Sequence, residues 1–254
     1  MERMITVPRQ PLLALLLLGA VLAFAPGCAR EKVPAAGKKR PRTPNSVAMM
    51  LNVQGGELCQ VAEFDSAMKL FRTALAIAES SRLTQRMAGS YVNMGNAYEA
   101  RSLPDPQLMY EPVSTINRKA DQESAAICYD SAISISEAAN DSLFVAAGLT
   151  NLGIMYFRTR GKLAAAEGVQ QRALAIYRAK RMLNEQAWVM YHLALIHGEG
   201  RKVKLAMTDL QEATDLFVKM HDREGEEMAR NYYNMTSRWL AHDAEEPDWH
   251  PAGR

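Results

Sequence analysis

The feature that most constrains this chain is a pairing of two helical patterns, seen most clearly in residues 146–181. In the first half, Leu149 and Leu152 are three residues apart, so they lie on one face of a helix. In the second half, Ala166 and Ala173 are two turns apart and share a face in the same way. One such pair of helices cannot bury both apolar faces by itself. The pattern therefore predicts a helical hairpin that stacks on neighbours of the same kind.

The same pattern occurs four times, and each copy has a small residue where its two helices are predicted to cross. The small residues are Gly55, Gly95, Gly153 and Ala194, separated by 40, 58 and 41 residues. The longer middle separation contains a proline-rich insertion at residues 102–117. A small residue at a crossing point lets two helix axes approach closely. The spacing therefore predicts an all-α stack of about four helical hairpins.

Hydrophobic periodicity predicts the approximate bounds of these helices. The pairs are 46–60 with 64–80, 84–101 with 118–139, 142–159 with 162–180, and 184–198 with 202–219. A further helix, near residues 223–241, has charged residues on one side and is predicted to cap the stack. The predicted caps of the helices that follow them are Thr84, the stretch Asn140-Asp141-Ser142, Asn184 and Asp222.

These spacings resemble the tetratricopeptide repeat, in which leucine, glycine and tyrosine mark the first helix and alanine, an aromatic residue and alanine mark the second. The residues that match it best are Asn151, Leu152, Gly153 and Tyr156 in a first helix and Ala67, Phe71 and Ala74 in a second. Gln170 departs from the pattern, because it replaces the aromatic residue of the third copy. The resemblance implies a right-handed α-solenoid over residues 46–242 that acts as a binding scaffold.

The N-terminal region has the pattern of a bacterial lipoprotein signal. Residues 12–25 are fourteen consecutive apolar residues after two arginines, which is shorter than the roughly 20 residues of a spanning helix. Residues 25–28, Ala-Pro-Gly-Cys, then resemble the lipobox of bacterial lipoproteins, in which the cysteine is acylated. We therefore predict a signal peptide at 1–27 and a lipid on Cys28. Ordinary cleavage after Ala25 and an uncleaved anchor are the alternatives.

A linker and a tail are predicted on either side of the solenoid. Residues 28–45 contain three prolines and several basic residues, which predicts a disordered tether. The tether either serves as a solvated spacer or contacts lipid headgroups or the cell-wall polymer. Ala29 follows the cysteine where Gram-negative lipoproteins retained in the inner membrane have aspartate. By that resemblance we expect an outer-membrane location facing the periplasm. Residues 243–254 are predicted to form a flexible tail.

The resemblance also implies a binding face. In such repeats the first helices line the concave side, and the residue two positions before the small residue points into it. That residue is Asn93, Asn151 and His192 in the last three copies. An amide donates and accepts hydrogen bonds, so a row of asparagines would hold an extended peptide by its backbone. The neighbours expected to add apolar contacts and one positive charge are Asn96, Phe157, Arg158, Trp188 and Tyr191. Alternatively, Asn93 and Asn151 only bond to adjacent helices or loops.

Other classes of function find little support in the sequence. His192 and His197 are five residues apart, so they do not share a helix face, and the sequence contains no His-Glu-x-x-His motif. From residue 46 onward acidic groups slightly outnumber basic ones, which argues against nucleic acid binding. Cys59 and Cys128 are predicted to be buried free thiols, with a disulfide as the alternative. We expect no catalytic residue, metal, cofactor or small-molecule substrate.

The expected function is thus a non-enzymatic, lipid-anchored scaffold that binds a protein or peptide during envelope assembly or secretion. The alternative is an adaptor or regulatory subunit that delivers substrates to an envelope protease or a cell-wall hydrolase. The insertion at 102–117 combines prolines with apolar residues, so it is expected either to pack on its own repeat or to form a lid over the binding face.

Overall fold

The computed structural model describes residues 43–102, 118–159 and 162–245, and these ranges contain α-helices and no strand. The helices in these ranges are α1 (Pro44–Gln60), α2 (Phe64–Ser80), α3 (Thr84–Ser102), α4 (Arg118–Ala138), α5 (Ser142–Arg158), α6 (Leu163–Ala179), α7 (Leu183–Glu199), α8 (Val203–Met220) and α9 (Arg223–Glu245). Each helix packs mainly against the next along the chain, and α9 packs on α8 at the end of the stack. The prediction of an all-α solenoid of hairpins is confirmed.

Several predictions lie outside the described residues. They are the signal peptide at 1–27, the lipid on Cys28, most of the tether at 28–45, the body of the insertion at 102–117 and most of the tail at 243–254. In the ranges that the structure describes, no helix is both long enough and apolar enough to span a membrane.

The predicted bounds of the solenoid need small corrections. Helix α1 starts at Pro44, inside the predicted tether, because the Thr43 hydroxyl accepts a hydrogen bond from the Ser46 amide at 3.2 Å and proline suits the first helical turn. Ser102 was assigned to the insertion, but it is the last residue of α3 and is buried. Helix α9 continues to Glu245, three residues into the predicted tail.

Helix caps are confirmed at two of the four predicted junctions. The Asp141 carboxylate accepts from the Phe144 amide at 3.3 Å, and the Asp222 carboxylate accepts from the Gly225 amide at 3.0 Å. The predictions for Thr84 and Asn184 are wrong, because α3 already includes Thr84 and α7 begins one residue before Asn184, at Leu183.

The hairpins close over the small residues that mark the repeats. A Cβ atom on Gly55 would lie 2.3 Å from the ring of Phe71, and one on Gly95 would lie 2.5 Å from the ring of Tyr129. Both rings are almost completely buried. Only glycine leaves room for the aromatic side chain at these two crossings, which explains why the two residue types recur together.

The third hairpin uses an amide where the first two use an aromatic ring. Gln170 is fully buried, and a Cβ atom on Gly153 would lie 2.7 Å from its side chain. Its amide nitrogen donates to the backbone carbonyl of Thr150 at 3.0 Å, whereas its amide oxygen has no partner. Gln170 therefore fills the same space as the ring and links α6 to α5 by a hydrogen bond.

Six of the turns between helices share one geometry. A residue with positive φ, between 53° and 60°, closes the helix at Ala62, Arg82, Asn140, Arg181, Arg201 and His221. The next amide bonds back into the last turn of the helix, as when the Leu83 amide donates to the Ala78 carbonyl at 2.8 Å. This bond satisfies a carbonyl that the helix end leaves free, so each turn is short and keeps successive helices adjacent.

The two cysteines of the solenoid lie in one apolar cluster under the first two hairpins. Neither forms a disulfide, as predicted, but only Cys128 is buried and Cys59 is partly exposed. Burial raises the pKa of both thiols to about 11, so both are protonated at neutral pH.

Candidate peptide-binding face

The first helices of the last three copies lie side by side, with α5 between α3 and α7. The residues predicted for the binding face are Asn93 and Asn96 on α3, Asn151, Phe157 and Arg158 on α5, and Trp188, Tyr191 and His192 on α7. The fold thus places residues that are up to 99 positions apart in sequence on three adjacent helices.

The central part of this face is not an open groove. Every residue in 145–155 of α5 and in 189–197 of α7 is buried. Asn151 is 6% exposed and His192 is 8% exposed, so the prediction that they line an accessible surface needs correction. The accessible edge is formed by partly exposed side chains, namely Asn93, Asn96, Phe157 and Trp188.

A polar cluster joins α3, α4 and α5 beside this edge. The Arg158 guanidinium donates to Glu99 Oε1 at 2.5 Å, and both side chains are largely buried. The hydroxyl of Tyr129 lies 2.9 Å from Glu99 Oε2 and 2.8 Å from Asn96 Oδ1, so its single hydrogen is shared between the two acceptors. Arg158 is the residue expected to add one positive charge, and Glu99 neutralises that charge.

Sequence reasoning missed Glu99 and Tyr129 as members of this cluster. Glu99 lies one turn after Asn96, so helical spacing would have placed the two on the same face. Tyr129 is the aromatic residue of its hairpin that packs on Gly95. Its hydroxyl reaches across to α3 because the ring is directed over the glycine.

Two titratable groups of the face, Tyr129 and His192, are held in their neutral forms. Burial is the main cause that raises the pKa of Tyr129 well above its usual range, and the nearby carboxylate of Glu99 is the second cause. Burial is the main cause that lowers the pKa of His192 to about 4, and the positive charge of Arg158 is the second cause. At neutral pH the imidazole of His192 is therefore uncharged, and one of its two ring nitrogens is free to accept a hydrogen bond.

An aromatic cluster fixes the position of α7. The Trp188 ring meets Phe217 of α8 edge to face at 5.1 Å and Tyr191 at 6.0 Å between centroids. Tyr191 meets Tyr232 of α9 at 6.4 Å and is 4% exposed, so it belongs to the core and not to an accessible surface. Trp188 is partly exposed, as is Tyr232, and the ring of His192 lies 6.5 Å from that of Trp188.

Two buried polar atoms of this face have no hydrogen-bond partner. They are Nδ2 of Asn151 and Nδ1 of His192, which occupy the same position in successive first helices. The Nδ2 atom of Asn151 does not bond to a neighbouring helix or loop, contrary to the alternative raised for this residue. Buried polar groups without a partner are rare in folded proteins and call for an explanation. Among the described residues, no three His, Cys, Asp or Glu side chains are arranged to hold a metal.

Comparison with known proteins agrees with the class that the fold defines, a helical repeat protein. Residues 145–180, which span almost all of α5 and α6, match the tetratricopeptide repeat family. The crystal structure of BtubC (BKLC) from P. vanneervenii is similar, with a TM-score of 0.55 and 18% identity over 83% of this chain and 86% of that chain. At this identity the likeness shows the fold alone. No curated protein matches the chain. The resemblance drawn from the sequence is confirmed where the family model matches: the chain contains a tetratricopeptide repeat at residues 145–180.

Proposed function

We propose that this protein is a non-enzymatic scaffold that binds an extended segment of a protein partner along α3, α5 and α7. The observation that carries the proposal is the pair of unpartnered buried atoms, Asn151 Nδ2 and His192 Nδ1, at one position of successive helices. A backbone carbonyl of the partner would accept from the Asn151 amide, and the neutral imidazole would accept from a backbone amide. Asn93 would continue the row on α3. Such bonds recognise a backbone independently of its side chains.

The partly exposed residues define where the partner enters. Phe157 and Trp188 offer apolar surface at the edge of the face, and Asn96 offers an amide. Asn151 and His192 are buried, so binding requires α5 and α7 to separate slightly. The binding energy of the partner therefore has to exceed the cost of that opening.

We further propose that the scaffold is attached to the outer membrane by a lipid on Cys28 and faces the periplasm. The apolar run at 12–25 and the lipobox-like residues 25–28 support this part of the proposal. Each buried methylene contributes about 0.8 kcal/mol, so two or three acyl chains give a stable anchor. The partner would then be a protein of envelope assembly or secretion. A Cys28→Ser variant should move to the soluble fraction and lose the acyl mass; retention of both would contradict the anchor.

The binding face is tested by crosslinking in intact cells, with identification of the captured protein. A variant with Asn93→Ala and Asn151→Ala loses two hydrogen bonds worth about 1 kcal/mol each, so we expect roughly 10- to 100-fold weaker capture of the same protein. Its melting temperature should not fall, because the Asn151 amide nitrogen has no partner to lose. Asn231→Ala, at an exposed site on α9, is the control and should capture normally. Unchanged capture by the double variant would contradict the proposed face.

A further inference from the structure

A second polar cluster lies at the junction of the third and fourth copies. It contains Glu167 of α6, His197 of α7, Lys202 before α8 and Asp209 of α8. The Nδ1 atom of His197 lies 2.6 Å from Asp209 Oδ2, and its Nε2 atom lies 3.2 Å from Glu167 Oε1. Lys202 Nζ donates to the other oxygen of Glu167 at 2.6 Å. One imidazole, 5% exposed, thus bridges three helices.

The geometry of His197 fixes the number of protons in the cluster. A carboxylate oxygen only accepts hydrogen bonds, and a neutral imidazole has a single N–H. With a neutral ring and two ionised carboxylates, one ring nitrogen would therefore face a carboxylate oxygen without a hydrogen between them. Both contacts are satisfied only if the cluster holds one additional proton. The count is the same whether His197 holds the proton, as a doubly protonated ring, or the Asp209 carboxyl holds it 2.6 Å from Nδ1.

The surrounding charges favour the additional proton. With it, His197 and Lys202 balance Glu167 and Asp209, whereas without it the cluster would carry a net negative charge around a buried ring. Burial is the main cause that raises the pKa of Asp209 above its usual range. The hydrogen bond from Lys202 is the main cause that lowers the pKa of Glu167.

Other charged groups near the cluster are exposed or already paired. On the α8 side Glu212 lies close enough to Asp209 to disfavour its ionised form, and Arg178 of α6 favours that form. These two residues pair with each other at 3.4 Å on the surface. On α7 itself, Glu199 is exposed two residues after His197.

We propose that the junction between the third and fourth copies takes up one proton when it closes, and that this proton clamps α7 between α6 and α8. In an open junction above about pH 6.5, a solvated histidine is neutral and both carboxylates are ionised. Closing then consumes a proton, so the ratio of closed to open junctions falls by up to about tenfold for each unit of pH increase. Below that pH the open form also carries the proton, and the dependence disappears.

The contacts of His197 affect the binding face because α7 contains both His197 and residues of that face. Trp188 and His192 lie on the same helix as His197, so a rise in pH loosens one wall of the face without titrating any residue on it. The proposal rests on the contacts of His197 and does not depend on the identity or existence of the partner.

The test measures opening of the junction in the full chain by amide hydrogen exchange of α7 and α8 between pH 6 and 8.5, corrected for intrinsic exchange. For the wild-type protein we expect the opening constant to rise up to about tenfold per pH unit above pH 7. In an Asp209→Asn variant the new amide donates to a neutral His197 ring, so no additional proton is needed and the opening constant should not vary with pH. His221→Asn changes an exposed histidine outside the cluster and should keep the wild-type slope.

Equal slopes for the wild type and Asp209→Asn would overturn the proposal, as would a flat wild-type profile. If the Asp209→Asn variant fails to fold, a chemical-shift measurement on the wild-type protein alone tests the protonation of the cluster. Nitrogen-15 and carboxyl carbon-13 chemical shifts at pH 7 should show either a doubly protonated His197 ring or a protonated Asp209 carboxyl. A neutral ring beside an ionised Asp209 would overturn the proposal.

Discussion

At the scale of single residues, the side chain opposite each small crossing residue sets how closely two helices approach. Phe71 and Tyr129 fill this position with rings, and Gln170 fills it with an amide. Glycine at the crossing is therefore required by contact and not by backbone conformation, since Gly55, Gly95 and Gly153 all lie within helices. The helical glycines Gly56, Gly89 and Gly168, in contrast, have no neighbour where a Cβ atom would lie.

We predict opposite effects of the same substitution at two sites of α3. Gly95→Ala places a Cβ atom 2.5 Å from the buried Tyr129 ring and should lower the free energy of unfolding by about 1–3 kcal/mol through overpacking. Gly89→Ala, the matched control, should raise it by about 0.4–1 kcal/mol, because alanine loses less conformational entropy than glycine. Urea unfolding measures both. Equal effects at the two positions would show that the ring does not limit the approach of the helices.

At the scale of elements, successive first helices are joined by few direct contacts, so individual side-chain pairs matter. The ion pair between Glu99 and Arg158 connects α3 to α5 across 59 residues of sequence. Its two side chains are 10% and 17% exposed, so removal of one partner leaves the other charge largely buried. An exposed pair of similar type, Glu137 with Arg172, connects α4 to α6.

We predict that these two pairs differ in coupling energy. Arg158→Met alone should lower the free energy of unfolding by about 2–3 kcal/mol, because it leaves the largely buried Glu99 carboxylate without its charged partner. Combining it with Glu99→Gln should restore part of that loss and give a coupling of at least about 1 kcal/mol in a double-mutant cycle. The same cycle on Glu137 and Arg172 should give less than about 0.5 kcal/mol, because both side chains are about half exposed. Similar couplings for both pairs would contradict this account.

At the scale of the whole molecule, each helix depends mainly on its neighbours in the stack. The last helix, α9, covers the ring of Phe217 at Gly225 and the ring of Tyr191 with Tyr232. In a linear array the loss of a terminal element weakens the adjacent repeat most. Helix α9 therefore acts as the cap that the sequence predicted, because it shields the apolar faces of α7 and α8 from water.

We predict that a chain ending at Asp222 keeps its first hairpins but loses order at the other end. Phe217 and Tyr191 would become exposed, so amide protection should fall in α7 and α8. Protection in α2 and α3 serves as the internal control and should stay close to that of the full chain. Hydrogen exchange measures both, and sedimentation should show concentration-dependent association through the new apolar surface. A uniform loss of protection along the stack would contradict the nearest-neighbour description.

The sequence by itself determined the helices, their pairing into hairpins and the small crossing residues. These features follow from helical periodicity and from the volume of a side chain at a crossing, which are local properties of the chain. Local chemistry also identified Asp141 and Asp222 as caps. It failed at Asn184, because the start of α7 depends on the turn that precedes it and not on the presence of a good capping residue.

Only the tertiary structure decided what happens between successive repeats. The packing of successive hairpins determines how closely α3, α5 and α7 approach, and that approach buries Asn151 and His192 and pairs Glu99 with Arg158. It also brings Glu167 and Asp209 to the two nitrogens of His197. No periodicity encodes these contacts, because each one joins residues on different helices whose separation depends on the packing of every side chain between them.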